Sequence, residues 1–341
     1  MVKRPVAERT SYTLTELLSR PATEIPQLVE GLLPTQGMAM LAGASDTGKS
    51  SILRQLGLAI ALGDSTFLGF KINAVHRRAI CVSTEDGDGA VGPILKRQLA
   101  GQHIAPECSD RLRFEFDPEG LTTRLDQMLT EQPADLVVID AFGDLYEGNL
   151  NASNEVRGFL NKYQALAVRH NCLILFMHHT GKRTEEREPS KNNLLGSQGL
   201  EAKMRVVFEL RPDPIDPDLR HLCILKGNYL PREAKSQSYA LHFDENLLFH
   251  NTGARAAFGD LIKGPAESEE EREMWEQALQ MQLNGFPLSK ITTQLSPIAQ
   301  GLGMKPPSRS TVDRRLKVMQ RTVSPSQTIG VETVKREMAA A

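Results

Sequence analysis

The stretch "GMAMLAGASDTGKSSILRQLGLAIALG" (residues 37–63) decides the fold. Its first seven residues are apolar apart from glycine and predict a buried strand, and "SSILRQLGLAIALG" (residues 50–63) has the apolar spacing of a helix that ends at Gly63. Between them, "GASDTGKS" (residues 43–50) fits the pattern G-x-x-x-x-G-K-[ST] at every defined position. A glycine loop between a strand and a helix presents backbone N–H groups and the positive helix end to an anion. The stretch therefore predicts a phosphate-binding loop.

We expect this loop to bind a nucleoside triphosphate, namely ATP. In such loops the lysine, here Lys49, reaches the β- and γ-phosphates, and the hydroxyl of the next residue, here Ser50, binds Mg²⁺. A glycine-rich turn could match the pattern by chance, but the flanking strand and helix argue against that. The residues expected around the phosphates are Gly43, Ala44, Ser45, Asp46, Thr47, Gly48, Lys49, Ser50 and Ser51.

Strand-like and helical segments alternate after this loop. Apolar runs without polar alternation indicate strands covered on both faces, and helices between them indicate a parallel sheet in an α/β fold. Shorter strand-like pieces from residue 203 onward, separated by Pro, Asp and Gly, predict antiparallel hairpins at one side of that sheet. The predicted strands are residues 37–43, 77–85, 111–118, 135–140 and 172–179, and the predicted helices are residues 50–63, 89–102, 120–132 and 153–171.

The run "DLVVIDAFGD" (residues 135–144) supplies the acid of a metal shell. Its strand ends at Asp140, the position from which phosphate-loop enzymes hold Mg²⁺. Many ATPases place a second acid next to this one, where it acts on the attacking water, but here Ala141 follows. The base is therefore expected on another strand.

The candidate base is Glu85, which ends the strand that follows the phosphate-loop helix in the chain. If that strand lies beside the phosphate-loop strand, Glu85 reaches the γ-phosphate and can accept a proton from water. Asp86 and Asp88 are alternatives, and an ordinary acidic turn would have the same sequence.

Together, the phosphate loop, "STED" (residues 83–86), "VVIDAF" (137–142) and "LFMHHTGK" (175–182) resemble the RecA-type ATPases. They are most similar to the plasmid RepA-type hexameric replicative helicases and their RecA-like AAA relatives, over about residues 25–231. The resemblance implies a RecA-like core, a homo-hexameric ring with ATP between subunits, and single-stranded DNA in the central channel. It assigns Glu85 to the attacking water and Asp140 to the metal.

The same resemblance assigns His179 to sensing the γ-phosphate and linking it to a DNA-facing loop, "TGKRTEEREPSKNNLLGSQGL" (residues 180–200). For His178 we expect only a structural role. Candidate DNA contacts in the loop are Lys182, Arg183, Lys191 and Asn193, although a merely solvated loop fits as well.

A neighbouring subunit of such a ring supplies a cation to each ATP site. Arg205 and Lys226 match the positions from which the family supplies it. Related helicases often carry Lys-x-Arg at the second position, whereas this chain has Asn228 in place of the arginine. Which of the two cations acts therefore stays open, and both could be ordinary surface charges.

The C-terminal part differs in charge from the rest. Acids crowd residues 267–276 and bases crowd residues 305–321, although the formal charge of the chain is only −2. The segments 268–285, 287–295 and 308–321 predict three helices, and "SRSTVDRRL" (residues 308–316) resembles a helix-turn-helix recognition helix. Its bases Arg309, Arg314, Arg315 and Lys317 make duplex DNA a candidate partner, with docking on the ring or on another protein as the alternative.

The expected division is an N-terminal arm (residues 1–24), a RecA-like ATPase core (25–258), a linker (259–267), a helical unit (268–322) and a flexible tail (323–341). Four scattered cysteines without a Cys-x-x-Cys pair, and no apolar run of membrane-spanning length, predict a cytoplasmic protein with no membrane partner. The leading hypothesis is a DNA helicase or translocase of a plasmid or mobile element. The alternatives are an ATP-switched DNA-binding regulator or helicase loader, and a RecA-like signalling ATPase akin to circadian-clock proteins.

Overall fold

The computed structural model describes residues 11–21, 24–102, 104–181, 183–196, 198–263 and 268–323. Residues 264–267 of the expected linker and residues 324–341 of the expected tail lie outside the described residues.

Thirteen strands and eleven α-helices make up the described chain. The strands are β1 Gln27–Val29, β2 Leu33–Pro34, β3 Gly37–Gly43, β4 Thr66–Phe67, β5 Phe70–Lys71, β6 Ala79–Ser83, β7 Leu112–Glu115, β8 Leu136–Asp140, β9 Leu173–His179, β10 Val206–Pro212, β11 Leu219–Gly227, β12 Gln237–Phe243 and β13 Phe249–Ala257. The helices are α1 Leu14–Leu18, α2 Lys49–Leu62, α3 Asp88–Gln98, α4 Pro106–Ser109, α5 Leu121–Glu131, α6 Phe142–Leu145, α7 Ser153–Arg169, α8 Gln198–Lys203, α9 Glu269–Leu283, α10 Leu288–Gly301 and α11 Arg309–Val323. Short 3₁₀ helices span Thr184–Glu186, Lys191–Asn193, Arg232–Lys235 and Phe258–Leu261.

Nine strands form one sheet in the order β13-β12-β11-β10-β3-β9-β8-β6-β7. The six strands from β10 to β7 are parallel, and β11, β12 and β13 extend the sheet in antiparallel fashion. The predicted α/β class, with a mostly parallel sheet that finishes in hairpins, is confirmed.

The core lies on both faces of the parallel strands because alternate side chains point to opposite faces. In β3, Ala39 and Leu41 belong to one cluster of buried apolar residues, whereas Met38 and Met40 belong to the other. Helix α2 covers the first face, and helices α5 and α7 cover the second. The central parallel strands are therefore buried on both faces, and their carboxyl edge remains for ligands.

The phosphate-loop helix has the predicted limits within one residue. It ends at Gly63, whose φ of 79° is the left-handed conformation that glycine adopts at a helix C-cap. Its buried side chains include Ile52, Leu56 and Ile60, which pack on β3 and its neighbours. This packing fixes the start of α2 against the end of β3.

Helices α9, α10 and α11 pack around a third apolar cluster that contains Trp275, Ile291, Val312 and Leu316. Its members come only from residues 274–319, so this helical unit has a core distinct from the two faces of the sheet.

Helix α10 differs from the prediction because it continues through Pro297 to Gly301. Ile291, Leu295 and Ala299 are buried on one face across that proline, so packing maintains the helix despite the missing backbone N–H. The connection to α11 is therefore residues 302–308, which is still longer than the usual helix-turn-helix turn.

Candidate nucleotide site

The phosphate loop joins the end of β3 to the start of α2, at the carboxyl edge of the sheet. Gly48 has a φ of 89°, and a Cβ there would lie 2.7 Å from the Phe249 ring, so both conformation and space require glycine. Gly43 needs glycine for space alone, since a Cβ would collide with the carbonyl oxygen of Leu210. The structure thus explains why glycine is required at positions 43 and 48.

The loop is closed by its own polar groups. The Thr47 hydroxyl donates to the Ala44 carbonyl at 3.0 Å, and the Lys49 ammonium donates to the same oxygen at 2.6 Å. Burial lowers the pKa of Lys49, while the charges of Asp140, Glu85 and Asp46 oppose that shift. A buried cation that donates to a neutral carbonyl is suited to bind an anion such as a phosphate.

The remaining loop residues differ in exposure. Ser45 and Asp46 are exposed at the tip, with Asp46 in the left-handed region at a φ of 60°. Ser51 is buried in the first turn of α2, where its carbonyl accepts a hydrogen bond from Gln98 at 3.0 Å. The side chains at the tip of the loop thus face solvent, whereas the Ser51 side chain is enclosed.

Asp140 and Ser50 form the candidate metal position. Burial raises the pKa of Asp140, and a hydrogen bond from Ser50 opposes this shift. Asp140 Oδ1 is buried without a hydrogen-bond partner among the described residues. An unpartnered buried carboxylate oxygen beside a hydroxyl fits Mg²⁺, which prefers oxygen ligands. In the described part of the chain no group of three or more His, Cys, Asp or Glu side chains could hold a metal, so phosphate oxygens and water would complete the shell.

Glu85 lies in the turn between β6 and α3, but its strand is not beside the phosphate-loop strand. Strands β9 and β8 separate β6 from β3, so the expected adjacency of these two strands is wrong. Glu85 nevertheless reaches the carboxyl edge because β6 is parallel to β8 in a register that pairs Ser83 with Asp140. The order of strands depends on long-range packing, which adjacency in sequence does not specify.

The other two acids of "STEDGD" have different surroundings. The Asp86 carboxylate lies 3.8 Å from the buried guanidinium of Arg54, and Asp88 is in the first turn of α3, where an acid complements the helix dipole. Glu85 is the acid that contacts His179, with 3.4 Å between Oε1 and Nε2. This contact favours Glu85 among the three candidates.

Thr84 is a further site residue that the sequence patterns do not identify. It connects the end of β6 to the end of β8. Its N–H donates to the Asp140 carbonyl at 2.8 Å. Its hydroxyl donates to Asp144 Oδ2 at 2.6 Å, and the Thr84 hydroxyl oxygen accepts from the Ala141 N–H at 3.0 Å. The ends of β6 and β8 are thereby held together. The signal for it was a polar run at a strand end, which does not reveal the partner.

The two histidines at the end of β9 point to opposite sides. His179 faces Glu85, whereas His178 is buried with Nε2 2.8 Å from the Leu195 carbonyl. This bond to a backbone carbonyl agrees with the structural role that we expect for His178. Burial lowers the pKa of His178, so the neutral ring is favoured.

The loop after His179 folds back on itself. Thr180 pairs with Leu194, and the Gly181 N–H donates to the Asn193 carbonyl at 2.9 Å. Arg183 and Lys191 have exposed side chains, but Asn193 is buried and donates to the Glu188 carbonyl at 2.9 Å. The prediction of Asn193 as a DNA contact is therefore wrong, because its amide closes the loop. Lys182 lies outside the described residues.

Arg205 and Lys226 lie at the opposite edge of the sheet from the phosphate loop of the same chain. The Arg205 N–H donates to the Met38 carbonyl near the start of β3, and Lys226 pairs with Val207 near the start of β10. Val207 pairs with Met40, so along β3 the distance to Gly43 is about 10 Å from the level of Lys226 and about 16 Å from the level of Arg205. Lys226 also contacts Glu201, at 2.8 Å from its carbonyl and 3.1 Å from its carboxylate. Neither cation serves its own phosphate loop.

The bases of α11 are partly engaged within the chain. Arg314 Nη1 lies 2.7 Å from Asp213 Oδ2, the Arg315 guanidinium lies over the Trp275 ring at 5.6 Å, and Lys317 pairs with Asp313 at 2.8 Å. Arg309 is exposed at the start of the helix. A DNA-facing surface would therefore involve Arg309 and Lys317 more readily than Arg314.

The fold and this edge of the sheet define a phosphate-loop nucleotide-binding protein. The family described as AAA domain matches residues 3–185, which is more than half of the 341 residues. The chain therefore belongs to the AAA domain family. The matched residues include the phosphate loop, Glu85, Asp140 and His179, and they end before Arg205, Lys226 and the helical unit.

A solved structure supports the same architecture. The chain is similar to a solved ATPase domain at a TM-score of 0.53 and 14% identity, over 70% of this chain and 95% of that one. At this identity the likeness shows a shared fold. No curated protein matches the sequence. None of the described helices has the length and apolar character needed to cross a membrane.

Proposed function

We propose that the protein is an ATP-hydrolysing, ring-forming DNA helicase or translocase, acting in the cytoplasm in the replication of a plasmid or other mobile element. The observation that carries the proposal is the Glu85–His179 contact at the carboxyl edge. It joins the candidate base to the residue from which the candidate DNA loop departs. Hydrolysis and movement of that loop can therefore influence each other.

In this proposal ATP is the substrate, and each site residue has one task. The loop N–H groups and Lys49 bind the phosphates, and Ser50 and Asp140 would hold Mg²⁺, which neutralises charge on the phosphate oxygens. Glu85 orients the attacking water and accepts its proton. His179 donates a hydrogen bond that depends on whether the γ-phosphate is present, and so positions residues 180–196.

The placement of Arg205 and Lys226 supports assembly. Both lie towards the amino ends of the parallel strands, away from their own phosphate loop, so a neighbouring copy is the partner to which they can present a charge. A cation supplied by a neighbour makes hydrolysis depend on assembly. A homo-hexamer with single-stranded DNA in its channel is the ring that we propose.

The decisive experiment combines ATPase and forked-duplex unwinding assays on the wild type and Glu85→Gln. We expect wild-type ATPase to rise with single-stranded DNA and with protein concentration. The variant should keep ATP binding and lose about 10²- to 10⁴-fold in hydrolysis, since a positioned base contributes about that much.

Asp86→Asn is the matched comparison, because it neutralises the adjacent acid that contacts Arg54 rather than His179. It should stay active. An active Glu85→Gln beside an inactive Asp86→Asn would move the base to Asp86, and an ATPase indifferent to DNA and concentration would refute the ring translocase.

A second candidate function is an ATP-switched DNA-binding regulator or helicase loader. The observation that favours it is the separately packed helical unit with its basic helix α11, which could bind duplex DNA while the core acts as a switch. A duplex footprint without strand separation would support this function instead.

A further inference from the structure

The end of β10 carries charged side chains in an otherwise apolar strand. Glu209 and Arg211 are buried, and Asp213 follows directly after the strand with its carboxylate fully covered. Alternate positions of a strand face the same way, so all three side chains point to one face. This strand end lies beside the phosphate loop, since β10 pairs in parallel with β3.

Arg211 connects this strand end to the loop that follows His179. Its guanidinium bonds to Glu209 at 2.7 Å and to the carbonyls of Thr184, at 2.7 Å, and Arg187. The same guanidinium donates to the Leu261 carbonyl at 3.2 Å. One buried cation thus holds the candidate DNA loop and the segment that leads into the helical unit.

A second contact joins that segment to the same loop. The Lys263 N–H donates to the Glu185 carbonyl at 2.8 Å, and the Lys263 ammonium lies 3.6 Å from the Glu185 carboxylate. If residues 261–263 move, residues 184–188 must therefore move with them, unless the hydrogen bonds of Arg211 and Lys263 break.

Asp213 connects the strand end to the helical unit itself. Its Oδ1 accepts from the N–H groups of Ile215 and Asp216 at 2.7 and 2.8 Å, and its Oδ2 lies 2.7 Å from both His221 Nε2 and Arg314 Nη1. Arg314 comes from α11 and is mostly covered, with 16% of its side chain exposed. The core thus presents a fixed carboxylate, and the helical unit supplies the cation that completes it.

His221 and Ser238 continue the series of hydrogen bonds from Asp213 into the sheet. Ser238 Oγ lies 2.9 Å from His221 Nδ1 and also donates to the Ala256 carbonyl at 3.2 Å. The serine, histidine and aspartate are all buried and the hydroxyl is directed to backbone. They therefore hold the carboxylate in place rather than form a hydrolytic site.

We propose that the end of β10 couples the helical unit to the nucleotide site, with Arg314 as the docking residue and Arg211 as a positioning residue for the loop after His179. Docking of α11 at Asp213 keeps the strand end, and with it the loop, in the observed arrangement. This inference deepens the proposed function and rests on it for the role of the loop.

Hydrogen exchange of the full chain tests the coupling without nucleotide or DNA. Arg314→Ala removes the cation but leaves Val312 and Leu316 in the core of the helical unit. We expect amides in residues 183–196 and 258–263 to exchange about tenfold faster or more, because loss of a partner of a buried charge strongly favours local opening. Arg314→Lys, which keeps the charge, should recover part of the protection.

Lys317→Ala is the matched control. It removes one positive charge from the same helix, but Lys317 pairs with Asp313 of that helix and its side chain is 60% exposed. It should leave exchange of the loop unchanged. Equal exchange of residues 183–196 in the wild type and Arg314→Ala would overturn the proposal, as would the same increase in both variants.

An ATPase measurement separates this inference from the proposed function. Arg314→Ala should lower the stimulation of kcat by single-stranded DNA at least threefold while leaving the KM for ATP unchanged. If wild-type protein has no DNA-stimulated ATPase but the exchange result holds, the coupling stands and the helicase proposal fails. Unchanged stimulation in Arg314→Ala, with active wild type, overturns the coupling.

Discussion

His178 and His179 show how two neighbouring residues acquire different tasks. The alternation of β9 places His178 in the core, edge-to-face against Phe142 at 5.6 Å, and places His179 at the surface towards Glu85. The Nδ1 atom of His178 is buried without a hydrogen-bond partner among the described residues. Protonation of that nitrogen would leave a buried charge without an acceptor.

The stability of the protein should therefore fall in mild acid. Burial lowers the pKa of His178 below its ordinary 6.5, with Lys49 and His179 adding to the shift. Between the lowered pKa and 6.5 the unfolded chain binds the proton more readily. This contribution is complete above about pH 6.5 and is lost as the pH falls through that window towards the lowered pKa.

Urea unfolding at pH 7.5 and 5.5 measures the effect. His178→Gln, whose amide nitrogen can reach the position of Nε2 and donate to the Leu195 carbonyl, should lose less stability between the two pH values than the wild type does. Equal losses would show that other groups account for the pH dependence.

At the scale of single elements, the helical unit should unfold independently of the parallel sheet's two cores. Leu316 is fully buried in the third cluster, whose members all come from that unit. Leu316→Ala should destabilise the unit by about 2–5 kcal/mol, since the truncation leaves a cavity. Trp275 is the single tryptophan of the chain, so its fluorescence reports this unit.

Thermal unfolding followed by fluorescence and by circular dichroism tests this expectation. The fluorescence transition should move to lower temperature, while the main dichroism transition stays in place. Leu283→Ala in α9 is the control, because that side chain is 61% exposed and should have little effect. Parallel shifts of both signals in Leu316→Ala would mean that the unit and the sheet unfold together.

Local patterns in the sequence were enough to predict β3, α2 and the phosphate loop, because their apolar spacing and glycines act within a few residues. Helix α6, directly after Ala141, was not predicted. It has only four residues and depends on Phe142, which is fully buried against Phe176 and His178 from β9. Contacts between distant segments decide such an element.

For the candidate site, the sequence likewise predicts the residues whose signals are local and misses those that depend on distant contacts. Lys49, Ser50 and Asp140 lie together as expected, because the carboxyl ends of parallel strands meet at one edge. The role of Arg211 was missed, although Glu209 and Arg211 alternate within an apolar strand, a pattern that indicates a buried charged pair. The partners of that pair, the carbonyls of Thr184, Arg187 and Leu261, carry no signal in the sequence.

At the scale of the whole molecule, the two edges of the sheet imply complementation between copies. Lys49→Ala disables the phosphate loop of its own chain, and Lys226→Ala removes a cation from the opposite edge. We expect each variant alone to lose about 10³-fold or more in ATPase rate, as for other trans-acting cations. Mixing them should restore activity, because some neighbouring pairs then combine an intact Lys49 with an intact Lys226.

Lys203→Ala serves as the control for Lys226→Ala, since Lys203 lies on α8, the helix whose Glu201 contacts Lys226, and it bonds to Asn161 within the same chain. It should retain the wild-type rate. If the mixtures stay inactive, Lys226 has only a structural role through its contact with Glu201. Arg205 is then the remaining candidate for the cation that acts on a neighbouring ATP site.

The contact between Gly48 and Phe249 limits how the chain can be shortened or rearranged. The last parallel strand ends at Pro212, yet the ring that lies against the phosphate loop comes from β13, and Gln55 of α2 bonds to the N–H and carbonyl of Phe249 at 2.8 and 2.9 Å. A minimal fragment with an intact phosphate loop must therefore retain β13, and a circular permutant with new ends in the hairpins must still hold Phe249 against Gly48. The antiparallel strands β12 and β13 pack against the phosphate loop through Phe243 and Phe249, so they are not an accessory that protein engineering can remove.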